Sequence, residues 1–293
     1  MTDPQRAAAT VADVVDAVHR RYDPATAEDW DAVGLVCGDP QAPVRRILVA
    51  VDPVAATVDE ALELGADLLL THHPLLLRPV SSVAATTPAG RLVHRLVTGG
   101  CALLAAHTNA DVATDGVSDA LATALGLGPV TPVVPAAHDA AVGLGRVGDL
   151  AAPVTLAAFA EAVRDSLPTT AHGVRVAGDP ERVVRRVAVL GGSGGDLLDA
   201  ARATGADVVV TSDLKHHVTV DFVAGGAPAV VDVAHFASEW PWVPKVAELL
   251  RGDIAGHGVE VLVSTVVTDP WSFRVRPPVT PRPPAALRWT PRP

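Results

Sequence analysis

The two halves of the chain repeat one another, and this repeat constrains the fold more than any other feature. Residues 45–51 read RRILVAV and residues 185–190 read RRVAVL, and each is an apolar run typical of a buried strand. A helical stretch follows in each half and leads to a near-identical segment, GADLLLT at 65–71 and GADVVVT at 205–211. Such self-similarity indicates two related structural units.

Strands and helices alternate in both halves, which is the pattern of helices packed on both faces of a sheet. We therefore predict an α/β protein of two related three-layer lobes with mixed sheets and an internal pseudo-repeat. The predicted division is a first lobe at residues 1–130, a second lobe at 131–270 and a Pro-rich C-terminal tail at 271–293. Gly65 and Gly205 stand where a helix of each half should end, since glycine favours the C-cap.

Composition excludes several classes of function. Hydrophobic residues make up 49% of the 293 positions, enough to bury a large core without disulfides. The formal net charge of −10 argues against nucleic-acid binding, which needs cationic side chains to neutralise phosphates. The two cysteines, Cys37 and Cys101, are too few for a disulfide framework or a thiolate-rich metal site.

The N-terminus and the longest uncharged run bear on the protein's location. The first residues lack the cationic start and apolar core of a secretory signal, and they predict a helix with Thr10 and Asp13 as its capping box. Residues 120–137 carry no charge but contain three prolines, which a membrane helix of minimal length would hardly tolerate. We expect a cytoplasmic protein that does not contact a membrane.

Histidines and carboxylates stand at the ends of the repeated strands. His72 and His73 directly follow the first GAD segment, and a later strand in each half ends in a histidine with an acid four residues on. These pairs are His107 with Asp111 and His235 with Glu239. Open α/β sheets place their sites at the carboxyl ends of strands, so we expect these side chains to converge.

Each of these motifs alone has an ordinary explanation as a surface pair, a core histidine or a hydrogen-bonded turn. Together they favour a metal site, because imidazole and carboxylate groups can form the mixed shell of two divalent ions. Two ions that share a hydroxide lower its pKa and polarise a carbonyl or phosphoryl group, which is hydrolytic chemistry.

A glycine-rich turn, GGSGG at residues 191–195, lies between a predicted strand and a helix. Its backbone N–H groups could cradle a phosphate at the start of that helix. It lacks the Lys and Ser/Thr of a P-loop, however, and an ordinary tight turn explains the same residues equally well.

Seven motifs in a fixed order carry a family resemblance. They are WDAVGL at 30–35, THHP at 71–74, HTNAD at 107–111, GLGRVG at 143–148, GGSG at 191–194, SDLKHH at 212–217 and HFASE at 235–239. This order resembles the NIF-three-like dinuclear metal-centre proteins, which are often labelled GTP cyclohydrolase one, type two homologues. The resemblance covers about residues 10–273.

The resemblance implies a dinuclear centre whose five ligands fall on His72, His73, Asp111, His235 and Glu239, with Glu239 touching both ions. Zinc, iron or manganese would suit such a shell. The resemblance also implies a homohexamer, assembled as a trimer of dimers, with metal sites that face an internal cavity. The span 126–182 is too short for the third domain that some members insert between the lobes.

Other family positions bear on catalysis. His107, Lys215, His216 and His217 match recurrent positions without being ligands, and we take His107, Lys215 and His216 as candidates for substrate contact or proton transfer. The family's usual Asn and Tyr are replaced by Ala32 and Phe236, which removes hydrogen bonds behind the ligands but no ligand.

Two functions remain open from the sequence. The first is a metal-dependent hydrolase of the cyclohydrolase or amidohydrolase kind, acting on a small nucleotide or pterin-type substrate through a metal-bridging hydroxide. The alternative is a non-catalytic metal-binding scaffold, metal chaperone or regulatory hexamer.

Overall fold

The computed structural model describes residues 8–137, 139–226 and 228–275. Most of the predicted Pro-rich tail, residues 276–293, lies outside the described residues. Within the described part of the chain, no helix is long and apolar enough to cross a bilayer.

Strands and helices alternate along the whole described chain. The elements of the first part are β1 Ala9–Thr10, α1 Val11–Arg21, β2 Gly34–Cys37, β3 Pro43–Val44, β4 Arg46–Ala50, α2 Ala55–Glu63, β5 Leu68–Thr71, α3 Pro88–Thr98, β6 Ala102–Ala105, α4 Thr108–Val112 and α5 Val117–Ala124. Those of the second part are β7 Val134–Pro135, β8 Gly143–Leu144, β9 Arg146–Thr155, α6 Leu156–Ser166, β10 Arg175–Ala177, β11 Val183–Ser193, α7 Leu198–Ala203, β12 Val208–Ser212, α8 His216–Ala224, β13 Ala229–Val233, α9 His235–Glu239, α10 Trp242–Asp253 and β14 Glu260–Val263.

Two five-stranded sheets form the centres of the lobes, in the orders β14-β4-β5-β6-β2 and β10-β13-β12-β11-β9. In the first sheet β14, β4, β5 and β6 run parallel and β2 is antiparallel to β6. In the second, β11, β12 and β13 run parallel, and the edge strands β9 and β10 are antiparallel to their neighbours. The predicted α/β class with mixed sheets is confirmed.

The central strands are apolar along both faces, which explains why helices cover each sheet on both sides. In β4, Ile47 and Val49 pack into one buried cluster, while Leu48 and Ala50 pack into another on the opposite face. This alternation follows from the period of two residues in a strand.

Hydrogen bonds of a half-buried aspartate explain the GAD segment that the two halves share. Oδ2 of Asp67 accepts hydrogen bonds from the backbone N–H groups of Arg45 and Arg46, at 2.7 and 3.0 Å. Oδ2 of Asp207 accepts the equivalent pair from Arg185 and Arg186, at 2.9 and 2.8 Å. The repeated aspartate therefore anchors the preceding strand in each lobe, at the first residue of β4 and at the third and fourth residues of β11.

Several local predictions hold. The capping box of Thr10 and Asp13 is present at the start of α1. Gly65 and Gly205 follow α2 and α7 with φ of +64° and +75°, the left-handed conformation that glycine adopts without strain.

The division of the chain differs from the predicted boundary at residue 270. Strand β14 pairs with β4 in the first sheet, and Trp242, Val246 and Leu250 of α10 belong to the core cluster that includes Val14 of α1. The last part of the predicted second lobe therefore returns to the first. This return was not readable from the repeat, because α10 and β14 have no counterpart in the repeated segments.

Candidate metal centre

His72 and His73 follow β5 at the carboxyl end of the first sheet. Their backbone N–H groups donate to the carbonyls of Ala50 and Val51, at 3.3 and 2.9 Å, so the chain keeps its strand direction through both residues. The His72 ring is fully buried and lies 5.5 Å, between ring centroids, from the buried indole of Trp242. This packing leaves the His72 ring little freedom to turn.

The remaining predicted ligands come from two short helices. His107 immediately precedes α4, which carries Asp111, and His235 and Glu239 open and close α9. Residues four apart face the same side of a helix, and Nε2 of His235 lies 2.8 Å from Oε1 of Glu239.

The Glu239 carboxylate lies at the centre of the cluster. Its Oε1 lies 3.5 Å from Nε2 of His72, and its Oε2 lies 3.2 Å from Nε2 of His73. Oδ1 of Asp111 lies 3.8 Å from Nε2 of His72. The structure thus brings together the five residues predicted as ligands.

The donor atoms form two groups, each within 4.8 Å of one another, that could hold a metal ion. One consists of His72, His73 and His107, and the other of His73, His235 and Glu239. His107, which we predicted as a catalytic residue, therefore lies as close to the cluster as the predicted ligands do.

A hydrogen bond fixes the Nδ1 atom of each histidine ring. Nδ1 of His73 lies 2.7 Å from Asp52 and Nδ1 of His235 lies 2.7 Å from Asp213. In the same way His107 lies 2.8 Å from Asp31, and His72 lies 2.9 Å from the backbone carbonyl of Ala106. Because Nδ1 donates to these oxygens, each ring, once neutral, has an unprotonated Nε2 that can bind a cation.

Sequence reasoning did not assign Asp31, Asp52 or Asp213 a role. Asp52 and Asp213 lie just after β4 and β12, so the rule that polar residues at strand ends build the site could have found them. Asp213 also has a φ of +58°, a conformation that is uncommon outside glycine. Asp31 lies in a loop, where only its place in the WDAVGL motif at residues 30–35 could have indicated a role.

Burial and mutual charge shift the pKa values of the cluster. Burial alone would lower the pKa of His235, but Glu239 and Asp213 raise it to about 9. Burial, assisted by the neighbouring His72, lowers the pKa of His107 to about 4. Burial would raise the pKa of Glu239, but the surrounding His73, His235 and His72 hold it well below its usual value. The cluster therefore attracts positive charge strongly.

Two buried atoms of the cluster make no hydrogen bond within the described part of the chain. They are Nε2 of His72 and Oε2 of Glu239, whose neighbours in the cluster, at 3.5 and 3.2 Å, do not meet hydrogen-bond geometry. A buried polar atom without a partner is costly unless something satisfies it. Because both atoms face other nitrogen and oxygen donors, the residues present fit a divalent cation in a mixed N/O shell.

Cavities open on two sides of the cluster. The larger, of about 470 Å³, is lined by Trp30, His107, Asp111, His235, Glu239 and the glycine-rich turn, among others. The smaller, of about 330 Å³, is lined by Asp52, His73, His172, Asp213, His235, Asp269 and Trp271, among others. A small molecule therefore has room to approach the donor atoms.

The glycine-rich turn packs against the cluster as a tight turn. The N–H groups of Gly191, Gly192 and Gly194 donate to the hydroxyls of Ser118, Ser238 and Thr211, at 3.3, 2.9 and 2.9 Å. These three amides are hydrogen-bonded within the protein and are not available to a phosphate. The contacts therefore favour the tight-turn interpretation over a phosphate site.

Lys215, His216 and His217 stand at the start of α8, which Lys215 immediately precedes. The rings of His216 and His217 contact each other at 5.2 Å between centroids, and His216 lines a third cavity with Arg175 and Asp232. Among the described residues, neither cavity at the histidine cluster is lined by Lys215 or His216. Their catalytic roles stay a prediction.

Comparison with known sequences agrees with the resemblance carried by the motifs. A Streptomyces coelicolor protein called GTP cyclohydrolase 1 type 2 homolog is 50% identical over 269 residues, which cover 90% of this chain and 94% of that protein. A Mycobacterium tuberculosis protein of the same name is 36% identical and covers 90% of this chain and 97% of its own length. That alignment extends over 369 positions, so this relative has residues that the 293-residue chain lacks.

Solved structures share the fold over most of the chain. A Bacillus cereus protein related to NIF3 has a TM-score of 0.85 at 26% identity, covering 92% of this chain and all of that one (100%). A Staphylococcus aureus protein has a TM-score of 0.83 at 28% identity, covering 91% of this chain and 100% of its own. Residues 9–270 match the family described as Duf34/NIF3 (NGG1p interacting factor 3). The chain therefore belongs to the Duf34/NIF3 family.

Proposed function

We propose that the protein binds two divalent metal ions and is a metal-dependent hydrolase. The observation that carries the proposal is the pair of buried, unpartnered atoms, Nε2 of His72 and Oε2 of Glu239, within two overlapping groups of donors. His73 belongs to both groups, and Glu239 has an oxygen beside each of His73 and His235. His72, His73, Asp111, His235 and Glu239 would hold the ions.

The chain's own residues orient and shield this site. Asp52 and Asp213 fix the rings of His73 and His235 through Nδ1, which keeps each Nε2 directed at Glu239. Trp242 packs against the buried ring of His72, and the cavities beside the other donors give a substrate room to approach. When bound, divalent ions in such a shell lower the pKa of water and polarise a carbonyl or phosphoryl group.

His107 is a candidate for substrate contact in the larger cavity. Burial and His72 lower its pKa to about 4, so its ring is neutral at pH 7 and can accept a hydrogen bond from a substrate, although so low a pKa makes it a weak base. Its Nδ1 is bonded to Asp31, which leaves Nε2 as the accepting atom. The relatives' name, GTP cyclohydrolase 1 type 2 homolog, supports a ring-opening hydrolysis at carbon.

We also propose a homohexamer, a trimer of dimers, as the working assembly. Its support is the family resemblance together with exposed apolar side chains near the end of the described chain, Trp271 and Phe273 at 67% and 81% exposure. Light scattering after gel filtration measures the assembly, and a monomer at micromolar concentration would contradict it.

Elemental analysis and a metabolite-library activity screen test the proposed function on the same preparation. We expect two ions per chain after loading with zinc, iron or manganese, and turnover of a small molecule that Glu239→Gln abolishes. His94→Ala is the matched control, because His94 is an exposed histidine of α3. Full metal occupancy without any turnover would refute the hydrolase, and transfer of the ions to a metal-free enzyme would then favour the scaffold or chaperone alternative.

A further inference from the structure

The larger cavity at the histidine cluster has an aromatic wall and no cationic one. Trp30 lines it with 58% of its surface exposed, and its ring is held edge-on to His107, 6.0 Å away between centroids. Leu144, Leu190 and Leu197 add apolar surface. Among the described residues that line this cavity, none is a lysine or an arginine. The wall suits a flat apolar face far better than a polyanion.

Apart from the candidate ligand His235, the charged side chains that line the cavity are acidic. Exposed Glu28 and Asp196 stand on its lining in addition to the cluster's own carboxylates. Five carboxylates contact the histidines of the cluster, namely Asp31, Asp52, Asp111, Asp213 and Glu239. Two divalent ions would bring four positive charges against these five negative ones, so a loaded centre would offer at most direct coordination of one phosphoryl group and no net positive field for a whole phosphate chain.

Three backbone amides of the glycine-rich turn are not free to replace the missing cations. Phosphate groups are commonly bound by free amides at a glycine-rich turn. Here the amides of Gly191, Gly192 and Gly194 already donate to Ser118, Ser238 and Thr211.

We propose that this cavity takes a planar nitrogen heterocycle that carries no phosphate chain, stacked on Trp30 with its ring N–H groups directed to Glu28 and Asp196. The size is suitable, since a cavity of about 470 Å³ lies within the range of small-molecule sites. The inference rests on the proposed function and deepens it by naming the class of substrate. A nucleoside triphosphate falls outside this class because of its phosphate chain.

Calorimetric titration of the metal-loaded full chain with guanosine, GTP and inorganic tripolyphosphate tests the proposal. Guanosine and GTP share one ring and differ in phosphate, while tripolyphosphate is the phosphate alone. We expect guanosine to bind, GTP to bind no more tightly than guanosine, and tripolyphosphate not to compete. Metal content is measured before and after each titration, so that chelation by phosphate is recognised.

Two exposed tryptophans provide a matched pair of variants. Trp30→Ala should weaken guanosine binding about tenfold, the usual loss when a base loses an aromatic partner. Trp30→Phe should restore most of it. Trp271→Ala should leave binding unchanged, because Trp271 lines the other cavity. In the double variant Glu28→Gln/Asp196→Asn, the preference for guanosine over GTP should fall about threefold, since like charges near the phosphates are removed.

Four results would overturn the proposal: no guanosine binding, guanosine binding that Trp30→Ala leaves intact, loss of binding in Trp271→Ala instead, or GTP binding at least tenfold tighter than guanosine with metal retained. Binding is measured without turnover. A failed activity screen would therefore contradict the hydrolase and not the proposed ligand class. Failed guanosine binding would contradict the ligand class and not the proposed binding of two metal ions.

Discussion

Oε2 of Glu239 lies 3.2 Å from Nε2 of His73, although the two residues belong to opposite halves of the chain. His73 follows a strand of the first sheet, and Glu239 closes a helix that follows a strand of the second. The cluster therefore exists only where the two lobes meet. Anything that shifts one lobe against the other changes the distances among the donor atoms.

The aspartates behind the rings should control metal affinity without contacting metal. Asp52→Asn and Asp213→Asn keep the side-chain shape but weaken the acceptor for Nδ1 of His73 and His235. We expect each variant to lose affinity by roughly 10- to 100-fold with an unchanged circular dichroism spectrum. Competition with a chromophoric chelator measures this, and Asp199→Asn, with a 98% exposed side chain, is the control. Wild-type affinity in both variants would contradict the prediction.

The stability of the metal-free protein should fall as the pH rises from 6.5 to 9. Glu239 and Asp213 outweigh burial and raise the pKa of His235 from 6.5 to about 9. A histidine with a raised pKa stabilises the fold fully below 6.5 and loses this contribution as the pH passes 9. Metal-loaded protein should not show this fall, because metal binding requires deprotonated rings. Thermal melts across this range check both, and a rising Tm in the metal-free protein would contradict us.

Gly192 should be required for the cluster rather than for the fold. Its φ is +68°, and an added Cβ would lie 2.6 Å from Oε1 of Glu239. Gly205 has a φ of +75°, and no atom lies within 4 Å of the position that an added Cβ would take. Gly205→Ala is therefore a control that introduces backbone strain without a steric clash. We expect both alanine variants to lose about 1–2 kcal/mol of unfolding free energy, and only Gly192→Ala to lose metal binding. Equal metal affinity in the two variants would refute this.

Arg146 should be essential to stability. Its buried guanidinium binds both oxygens of Asp119 and the backbone carbonyls of Ala113, Gly143 and Gly145. Truncation leaves these acceptors unsatisfied, so we expect Arg146→Ala to lose about 3–5 kcal/mol in urea unfolding, with little recovery in Arg146→Lys. Arg164→Ala, which removes an exposed pair with Asp165, should be indistinguishable from wild type. A loss in Arg146→Ala below about 1 kcal/mol would contradict this role.

Local patterns in the sequence determined most of what could be predicted. The capping box at Thr10 and the glycines after α2 and α7 depend on contacts between near neighbours in the sequence. The strands that precede His72, His107 and His235 were recognisable as short apolar runs. The α/β class follows from the same periodicity. The repeat then indicated that two such units should meet.

Long-range contacts explain what sequence reasoning missed. The bond from Asp213 to His235 and the bond from Asp52 to His73 join segments that no local pattern relates. The glycine-rich turn was ambiguous for the same reason, because Ser118 and Ser238, whose hydroxyls accept its N–H groups, lie on other elements. Lys215 and His216 followed a family pattern, and position along the chain could not reveal that α8 places His216 in the lining of another cavity.

The return of α10 and β14 to the first sheet makes the second lobe an insertion within the first. A ribosome releases residue 263 only after the whole second lobe has emerged, so the first lobe stays open at its β14 edge until synthesis is nearly finished. His72 and His73 are made early, yet their partners His235 and Glu239 arrive just before the segment that closes the first sheet. Assembly of the donor cluster and completion of the first sheet thus fall at the same late stage of the protein's synthesis.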